Sequence, residues 1–185
     1  MHNGPVTTYL AFLRAINLGA KRVFPKDDIR RAVEAAGFDA AATHINTGNV
    51  RFDTRLRSRA KIEAALEHAF LADRGFDVPT IAYTAAEFRD LAAEGEALDA
   101  THPGLARHYV YFLKEPLSAD AEAAVVATAS EQGQMVIRDR DRAVHALLNP
   151  GYQDGIVDPL RAAKRFGVTT SRAMAVVTAL AAKWC

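Results

Sequence analysis

Three polar residues and a glycine lie at the junction of a predicted strand and a predicted helix near the amino terminus: Arg14, Asn17, Gly19 and Lys21. Backbone amides in a strand-to-helix loop, helped by the positive end of the following helix dipole, can hold an anion. Arg14 and Lys21 would add two cationic groups. In the structural alternative, Gly19 forms a turn, Asn17 binds the loop to itself and both cations are solvated.

A second polar cluster, Asn46-Thr47-Gly48-Asn49, separates two short strand candidates. Thr47, Gly48 and Asn49 could contact a polar ligand held beside the first loop. A tight hairpin turn requires the same residue types, because glycine and asparagine tolerate a positive φ. The sequence leaves both interpretations open.

Arg172 is a third candidate, placed by the pattern at the start of the last predicted helix, with Ser171 as its cap. A cation at a helix start opposes the helix dipole, which predicts a carboxylate or a bound anion as its partner. A structural ion pair is the commoner explanation.

The other chemistry-bearing residues form no recognisable catalytic or metal-binding pattern. Metal-ligand spacing is absent from the histidines considered, His44, His68, His102 and His108. No paired base accompanies the predicted turn carboxylates Asp139, Asp141 and Asp154. Cys185, the single cysteine, lies at the last position without a local base. We therefore expect no metal or cofactor, and the sequence does not decide whether the protein is an enzyme.

Tyr109 and Tyr111 share one face of a predicted strand, as base-stacking aromatic residues do in RNA-binding domains. The companion strand, residues 143–148, has no aromatic residue, and core packing explains the two rings more simply. The chain has 23 basic and 22 acidic side chains and a net charge of +1, without the footprint of a dedicated nucleic-acid binder. The sequence therefore argues against nucleic acid as a partner.

The composition is that of an ordinary globular protein. The 185 residues are 50% hydrophobic and 24% charged, and the length fits one large domain or two small ones. The longest apolar stretch, residues 173–182, is about half as long as a membrane-spanning helix. The start of the chain lacks the features of a signal peptide. We expect a cytoplasmic protein without membrane contact, and the oligomeric state stays open.

The first part of the chain is predicted to follow a βαββαβ order. One helix begins near Pro25, and a second runs from Ser58 to Gly75. The predicted strands are Thr7–Arg14, Ala42–Asn46, Val50–Asp53 and Val78–Tyr83. This order is typical of the split βαβ, or ferredoxin-like, arrangement.

The same order is predicted again after a connecting segment. Thr84 and Glu87 form a capping box for a helix that Gly95 closes, and residues 94–106 act as a linker. The later strands are predicted at Arg107–Leu113, Gln134–Asp139, Ala143–Asn149 and Thr169-Thr170. The later helices are predicted from Ser118 to about Ser130, from Asp158-Pro159 and from Ser171, with a hairpin turn at Arg140-Asp141.

We therefore predict an α+β fold of two ferredoxin-like (βαββαβ) halves with antiparallel sheets and extra helices. Residues 1–83 form the amino-terminal half and residues 107–185 the carboxy-terminal half. Residues 84–106 form the connecting helix and linker.

Four stretches of the sequence match motifs of a known family. They are Tyr9–Lys21, Thr43–Val50, Gly75–Pro79 and Thr169–Arg172. Together they resemble the bacterial family known as domain of unknown function 1697, over nearly the whole chain. The resemblance implies a bacterial, cytosolic protein of two ferredoxin-like halves, and it assigns no activity. Ala15 and Ala20 stand where the family has glycines, and an apolar run replaces its polar residues after Arg172.

These patterns predict a protein that binds a small anionic or polar ligand at the first strand–helix loop and the adjoining hairpin. Two alternatives stay open. One is nucleic-acid binding through a sheet face, and the other is an enzyme acting on a phosphorylated small molecule.

Overall fold

Each half of the chain forms one four-stranded antiparallel sheet. The computed structural model describes residues 4–137, 142–153 and 160–185. Unit 1 extends to Phe88 and includes Trp184 and Cys185, whereas unit 2 is Arg89–Lys183. The predicted α+β fold in two similar halves is confirmed.

Unit 1 has the βαββαβ order that the sequence predicts. Its strands are β1 (Thr7–Leu13), β2 (Asp39–His44), β3 (Asn49–Thr54) and β4 (Thr80–Thr84). Its helices are α1 (Lys26–Ala35) and α2 (Arg59–Arg74), and α3 (Ala85–Thr101) begins directly after β4. The strands lie in the order β2-β3-β1-β4, which places β1 at the centre and β4 at an edge.

Both faces of the central strand β1 are buried. Tyr9, Ala11 and Leu13 belong to the core that α1 and α2 cover. Phe12, on the opposite face, stacks on Phe88 of α3 with ring centroids 5.3 Å apart. Burial on both faces explains why β1 reads as a nearly continuous apolar run.

The outer edge of β4 is satisfied by carboxylates rather than by another strand. Its outward N–H groups belong to alternate residues, and the three acceptors are glutamates. Thr80 N–H donates to Glu67 Oε1 at 2.8 Å, and Ala82 N–H donates to Glu63 Oε1 at 2.9 Å. These bonds join α2 to the sheet and leave no open edge at these positions for another strand.

Glu87 of α3 binds the third outward amide of β4, that of Thr84, through Oε2 at 2.8 Å. The Glu87 N–H donates to Thr84 Oγ1 at 3.2 Å, which confirms the predicted capping box. Burial alone would raise the pKa of Glu87. The Thr84 bonds and the nearby Arg59 charge outweigh burial and hold the pKa below its usual range.

Unit 2 repeats this architecture with shorter helices. Its strands are β5 (Arg107–Leu113), β6 (Gly133–Ile137), β7 (Ala143–Leu148) and β8 (Thr169–Ala173), in the order β6-β7-β5-β8. Its helices are α4 (Ala119–Val126) and α5 (Met174–Trp184), with a 3₁₀ helix at Leu160–Arg165. The predicted turn at Arg140-Asp141 and helix start at Asp158-Pro159 lie outside the described residues.

The two sheets share a hydrogen-bond register at the end of their central strands. Leu13 N–H donates to the Gly48 carbonyl at 2.9 Å, and Leu113 N–H donates to the Arg142 carbonyl at 2.6 Å. Both acceptor residues have a positive φ, 76° for Gly48 and 52° for Arg142. The halves therefore correspond in backbone geometry although their sequences show no obvious identity.

Gly95 does not end α3, and this prediction was wrong. The helix continues to Thr101, so the predicted linker shortens to residues 102–106. A Cβ at position 95 would collide with the Met174 thioether and lie 3.3 Å from His145 Cε1. Gly95 is therefore a close-packing position inside a helix rather than a terminator.

Two other predicted boundaries were also wrong. β2 ends at His44 rather than Asn46, because Ile45 adopts a left-handed φ of 49°. α4 ends at Val126 rather than near Ser130, because the chain there turns into β6. Reciprocal backbone bonds join Ser130 and Gly133 in that turn, at 2.9 and 3.1 Å.

Glu63→Ala should lower the free energy of unfolding by about 1.5–3 kcal/mol, since it leaves the buried Ala82 N–H without its charged acceptor. Glu63→Gln keeps an acceptor oxygen and should lose less. Glu34→Ala removes an exposed ion pair with Arg30 and should cost under about 1 kcal/mol. Urea denaturation measures all three. Equal stability of Glu63→Ala and Glu34→Ala would contradict the role given to Glu63.

Candidate ligand site

Three loops of unit 1 meet at the carboxyl end of β1. They are residues 14–25, which follow β1, the hairpin 45–48, and residues 75–79, which precede β4. Leu13 N–H bonds the hairpin at Gly48, and Arg14 N–H donates to the Pro79 carbonyl at 2.9 Å. We call these three segments the loop cluster.

Asn17 holds the first loop and the hairpin together. Its Nδ2 donates to the Asn46 carbonyl at 2.7 Å and to the Phe24 carbonyl at 3.2 Å. Its Oδ1 accepts the Phe24 N–H at 2.8 Å, while its backbone has a left-handed φ of 54°. With its amide group engaged on both sides, Asn17 positions the loop rather than contacting a ligand.

Arg22 holds the first loop to the third, a role that no sequence pattern predicts. Its Nε donates to the Ala15 carbonyl at 2.5 Å, and its Nη2 donates to the Asp77 carbonyl. Its guanidinium lies 4.8 Å from the centre of the Phe76 ring. No local signal identifies these contacts, because Asp77 is 55 positions away in the chain.

The hairpin residues are engaged within the turn. Gly48 has φ 76°, and a Cβ there would lie 2.7 Å from Leu13 Cβ and 2.9 Å from Ile16 Cδ1. Asn49 is fully buried, and its Nδ2 donates to the His44 carbonyl at 3.1 Å and to Thr47 Oγ1 at 2.9 Å. These contacts favour the turn interpretation for Thr47, Gly48 and Asn49.

The groups of the loop cluster that are open to a ligand are Arg14, Gly19 and Lys21. All three are exposed, and no described residue other than the chain neighbours of Gly19 lies within 4 Å of where its Cβ would be. Within residues 4–137, 142–153 and 160–185, neither Arg14 nor Lys21 has a carboxylate partner. Two cationic side chains therefore flank an accessible glycine on a well-anchored loop.

Arg172 lies in β8 and not at a helix start, so the predicted placement was wrong. It lies opposite Val110 of β5, and Ser171 is a strand residue rather than a cap. Arg172 is 8% exposed, and burial lowers its pKa to about 10. Its Nη1 donates to Thr170 Oγ1 at 3.0 Å and to the Ser171 carbonyl at 2.8 Å.

Two histidines do assemble in unit 2, against expectation. His108 Nδ1 lies 2.7 Å from Asp99 Oδ1, and His108 Nε2 lies 2.8 Å from His145 Nδ1. His108 and His145 are 8% and 0% exposed, whereas the Asp99 side chain is 46% exposed. The sequence does not predict the hydrogen-bonded set Asp99–His108–His145, because its three residues lie on α3, β5 and β7 and meet only when the sheet forms.

The Asp99 carboxylate determines which ring nitrogens carry the protons in the set Asp99–His108–His145. When the carboxylate is ionised and the His108 ring is neutral, Asp99 accepts from His108 Nδ1–H and His108 Nε2 accepts from His145 Nδ1–H. Both nitrogens of His108 are thereby used inside the protein. No group of three or more histidine, cysteine or acidic side chains in the described part of the chain is arranged to hold a metal ion.

The strand aromatics of unit 2 pack against the core. The Tyr111 and Phe166 rings meet edge to face, with centroids 5.3 Å apart. Tyr109 and Tyr111 are both partly buried against the unit 2 core, and burial raises the pKa of Tyr111. These contacts favour packing over base stacking.

Residues 6–142 match the family described as protein of unknown function (DUF1697). The chain belongs to this family. The matched region includes the whole loop cluster, whereas the motif at Thr169–Arg172 lies beyond it. No curated protein is significantly similar to this DUF1697 member.

One solved structure has the same fold over nearly the full length. It is the conserved bacterial protein SP0830 from Streptococcus pneumoniae, 18% identical to this DUF1697 member, with a TM-score of 0.76. The alignment covers 97% of this chain and 98% of the other. Within the described residues, no helix combines the length and the apolar character needed to cross a membrane.

Ala15→Gly should raise the free energy of unfolding by about 1 kcal/mol, since Ala15 has a left-handed φ of 57° that glycine adopts without strain. Ala20→Gly is the matched control. Ala20 is not among the residues with positive φ, so its replacement should be neutral or destabilising. Thermal unfolding measures the stability of both variants. A destabilised Ala15→Gly variant would contradict the claim that the backbone at Ala15 is strained.

Nitrogen-15 NMR in mildly alkaline buffer should show His108 and His145 both protonated at Nδ1, because the Asp99 carboxylate fixes the direction of the chain. His68, exposed on α2, serves as the control and should exchange between tautomers. A proton on Nε2 of either buried ring would contradict the assignment.

Proposed function

We propose that this protein binds a small anionic ligand at the accessible part of the loop cluster, formed by Arg14, Gly19 and Lys21. The observation that carries the proposal is a pair of exposed cations on an anchored loop that have no carboxylate partner in the described part of the chain. Most other arginines of unit 1 have such partners, namely Arg30, Arg31, Arg51, Arg59 and Arg74. Arg14 and Lys21 therefore keep their charge available to a ligand.

The remaining residues of the cluster set the position of these cations. Asn17 fixes the loop to the hairpin, and Arg22 fixes it to the segment before β4. Gly48 allows close approach of the hairpin to Leu13. A loop held in this way loses little conformational entropy when a ligand binds.

The ligand class follows from the groups that are open. A guanidinium forms paired hydrogen bonds to a carboxylate or phosphate, and an ammonium adds a point charge. The exposed Gly19 leaves room for an oxygen to approach the backbone. These groups suit binding and orientation of an oxyanion.

Arg172 receives a structural role in this proposal. Its guanidinium is buried and bonded to Thr170 and Ser171 of its own strand. Releasing those bonds for a ligand would leave two acceptors without their donor.

Arg14→Ala should weaken binding of sulfate, phosphate or a nucleotide about tenfold or more, because a charge-assisted contact contributes roughly 1.5–3 kcal/mol. Amide shifts of Gly19, Lys21 and Gly48 on anion titration report binding. Arg30→Ala removes an exposed, ion-paired arginine from the same unit and should leave binding unchanged. Silence of Gly19 and Lys21 at millimolar anion would overturn the proposed function.

A further inference from the structure

A cationic segment lies at the opposite end of the unit 1 sheet from the loop cluster. Residues 55–61 read Arg-Leu-Arg-Ser-Arg-Ala-Lys, with four cations in seven positions. β3 ends just before it at Thr54, which lies opposite Thr7, the first residue of β1. We call Arg55, Arg57, Arg59 and Lys61 the basic segment.

Three members of the basic segment carry no internal counter-charge. Arg55, Arg57 and Lys61 are exposed, and none has an ion-pair partner within the described residues. Between them, Leu56 packs against the unit 1 core. The backbone is fixed by Thr54 Oγ1, which accepts the Leu56 N–H at 3.1 Å. The charges are thus presented on an anchored stretch of chain.

Arg59 is only partly satisfied. Its Nη2 pairs with Glu87 Oε1 at 2.5 Å, and its guanidinium lies 5.8 Å from the Tyr83 ring centre. Its buried Nε has no hydrogen-bond partner among the residues that the structure describes. An unmade donor of this kind is costly, which indicates that stability alone does not explain the residue.

The four cations cannot all surround one point, because two of them leave α2 in different directions. Arg59 and Lys61 are two residues apart in α2, so their side chains leave the helix in different directions. Arg55 and Arg57 precede the helix in the non-helical connection. One phosphate cannot contact all four, whereas a chain of phosphates can. Arginine-rich stretches of this length are typical of nucleic-acid-binding surfaces.

We propose that the basic segment is a weak, sequence-independent binding surface for the phosphate backbone of nucleic acid. Arg55 and Arg57 each bind a phosphate through paired N–H groups, and Lys61 adds a point charge. The net charge of +1 argues against a dedicated nucleic-acid binder, but it sums the whole chain, whereas the proposed binding is weak and local and no acidic residue interrupts positions 54–62. The basic segment is distinct from the sheet face that carries Tyr109 and Tyr111, and it is independent of the loop cluster.

The test is fluorescence anisotropy of a labelled mixed-sequence DNA duplex with the full chain. Three unpaired cations predict a log–log salt slope of about −2.7, so affinity should fall about 40-fold between 50 and 200 mM salt. Arg57→Gln should reduce the slope by about 0.9 and the fall to about 12-fold. Arg30→Gln removes the same charge from an ion pair elsewhere and should leave the slope unchanged.

Other outcomes overturn the proposal. Polyglutamate that competes as well as DNA would identify a surface for acidic polypeptides, and free phosphate that competes at the same charge concentration would identify a single-anion site. A slope unaffected by Arg57→Gln would place DNA elsewhere. Arg14→Ala should not change DNA binding. The experiment therefore distinguishes failure of the anion-site proposal at the loop cluster from failure of the DNA-binding proposal at the basic segment. Unchanged melting temperatures confirm that the variants are folded.

Discussion

The hydrogen bonds between β4 and three glutamates hold unit 1 together. Alternate outward amides of a strand are about 6.6 Å apart, and residues four apart on a helix are separated by about 6 Å. Glu63 and Glu67 of α2 can therefore bind two such amides at once, and Glu87 of α3 takes the third. The arrangement fixes α2 along the sheet edge and sets where α3 begins.

The loop cluster depends on this edge. The segment from Gly75 to Pro79 connects α2 to β4, so it is fixed at both ends once Glu67 and Glu63 engage the strand. Arg22 then has a carbonyl to bind at Asp77, and Arg14 N–H has one at Pro79. The position of the two exposed cations therefore depends on how α2 is attached to β4, the strand paired with β1.

The sequence predicted what depends on neighbours in the chain. Residues of high strand propensity identified β1 and aromatic residues identified β5, Ser58 and Ser118 cap their helices as expected, and Thr84 with Glu87 forms the capping box. The sequence-based predictions were wrong where a contact with a residue far away in the chain determines the local structure. Gly95 looked like a terminator because Met174 is 79 positions away, and the strand pairing that seats Arg172 opposite Val110 is likewise absent from local sequence. For the candidate site, local sequence located the Arg14–Lys21 loop, and the structure divided it into positioning and exposed residues.

The shared register allows the two halves to be aligned without sequence similarity. Equivalent residues are 100 positions apart in the central strands, as for Leu13 and Leu113, and 94 apart for Gly48 and Arg142. The offset falls to 89 between β4 and β8. The second half is therefore shorter than the first at two places, and each place is a connection that contains a helix. At the aligned bend one half has glycine and the other arginine, yet both backbones turn left-handed. The geometry of the sheet therefore requires a left-handed residue at this bend, and residues other than glycine can adopt that conformation.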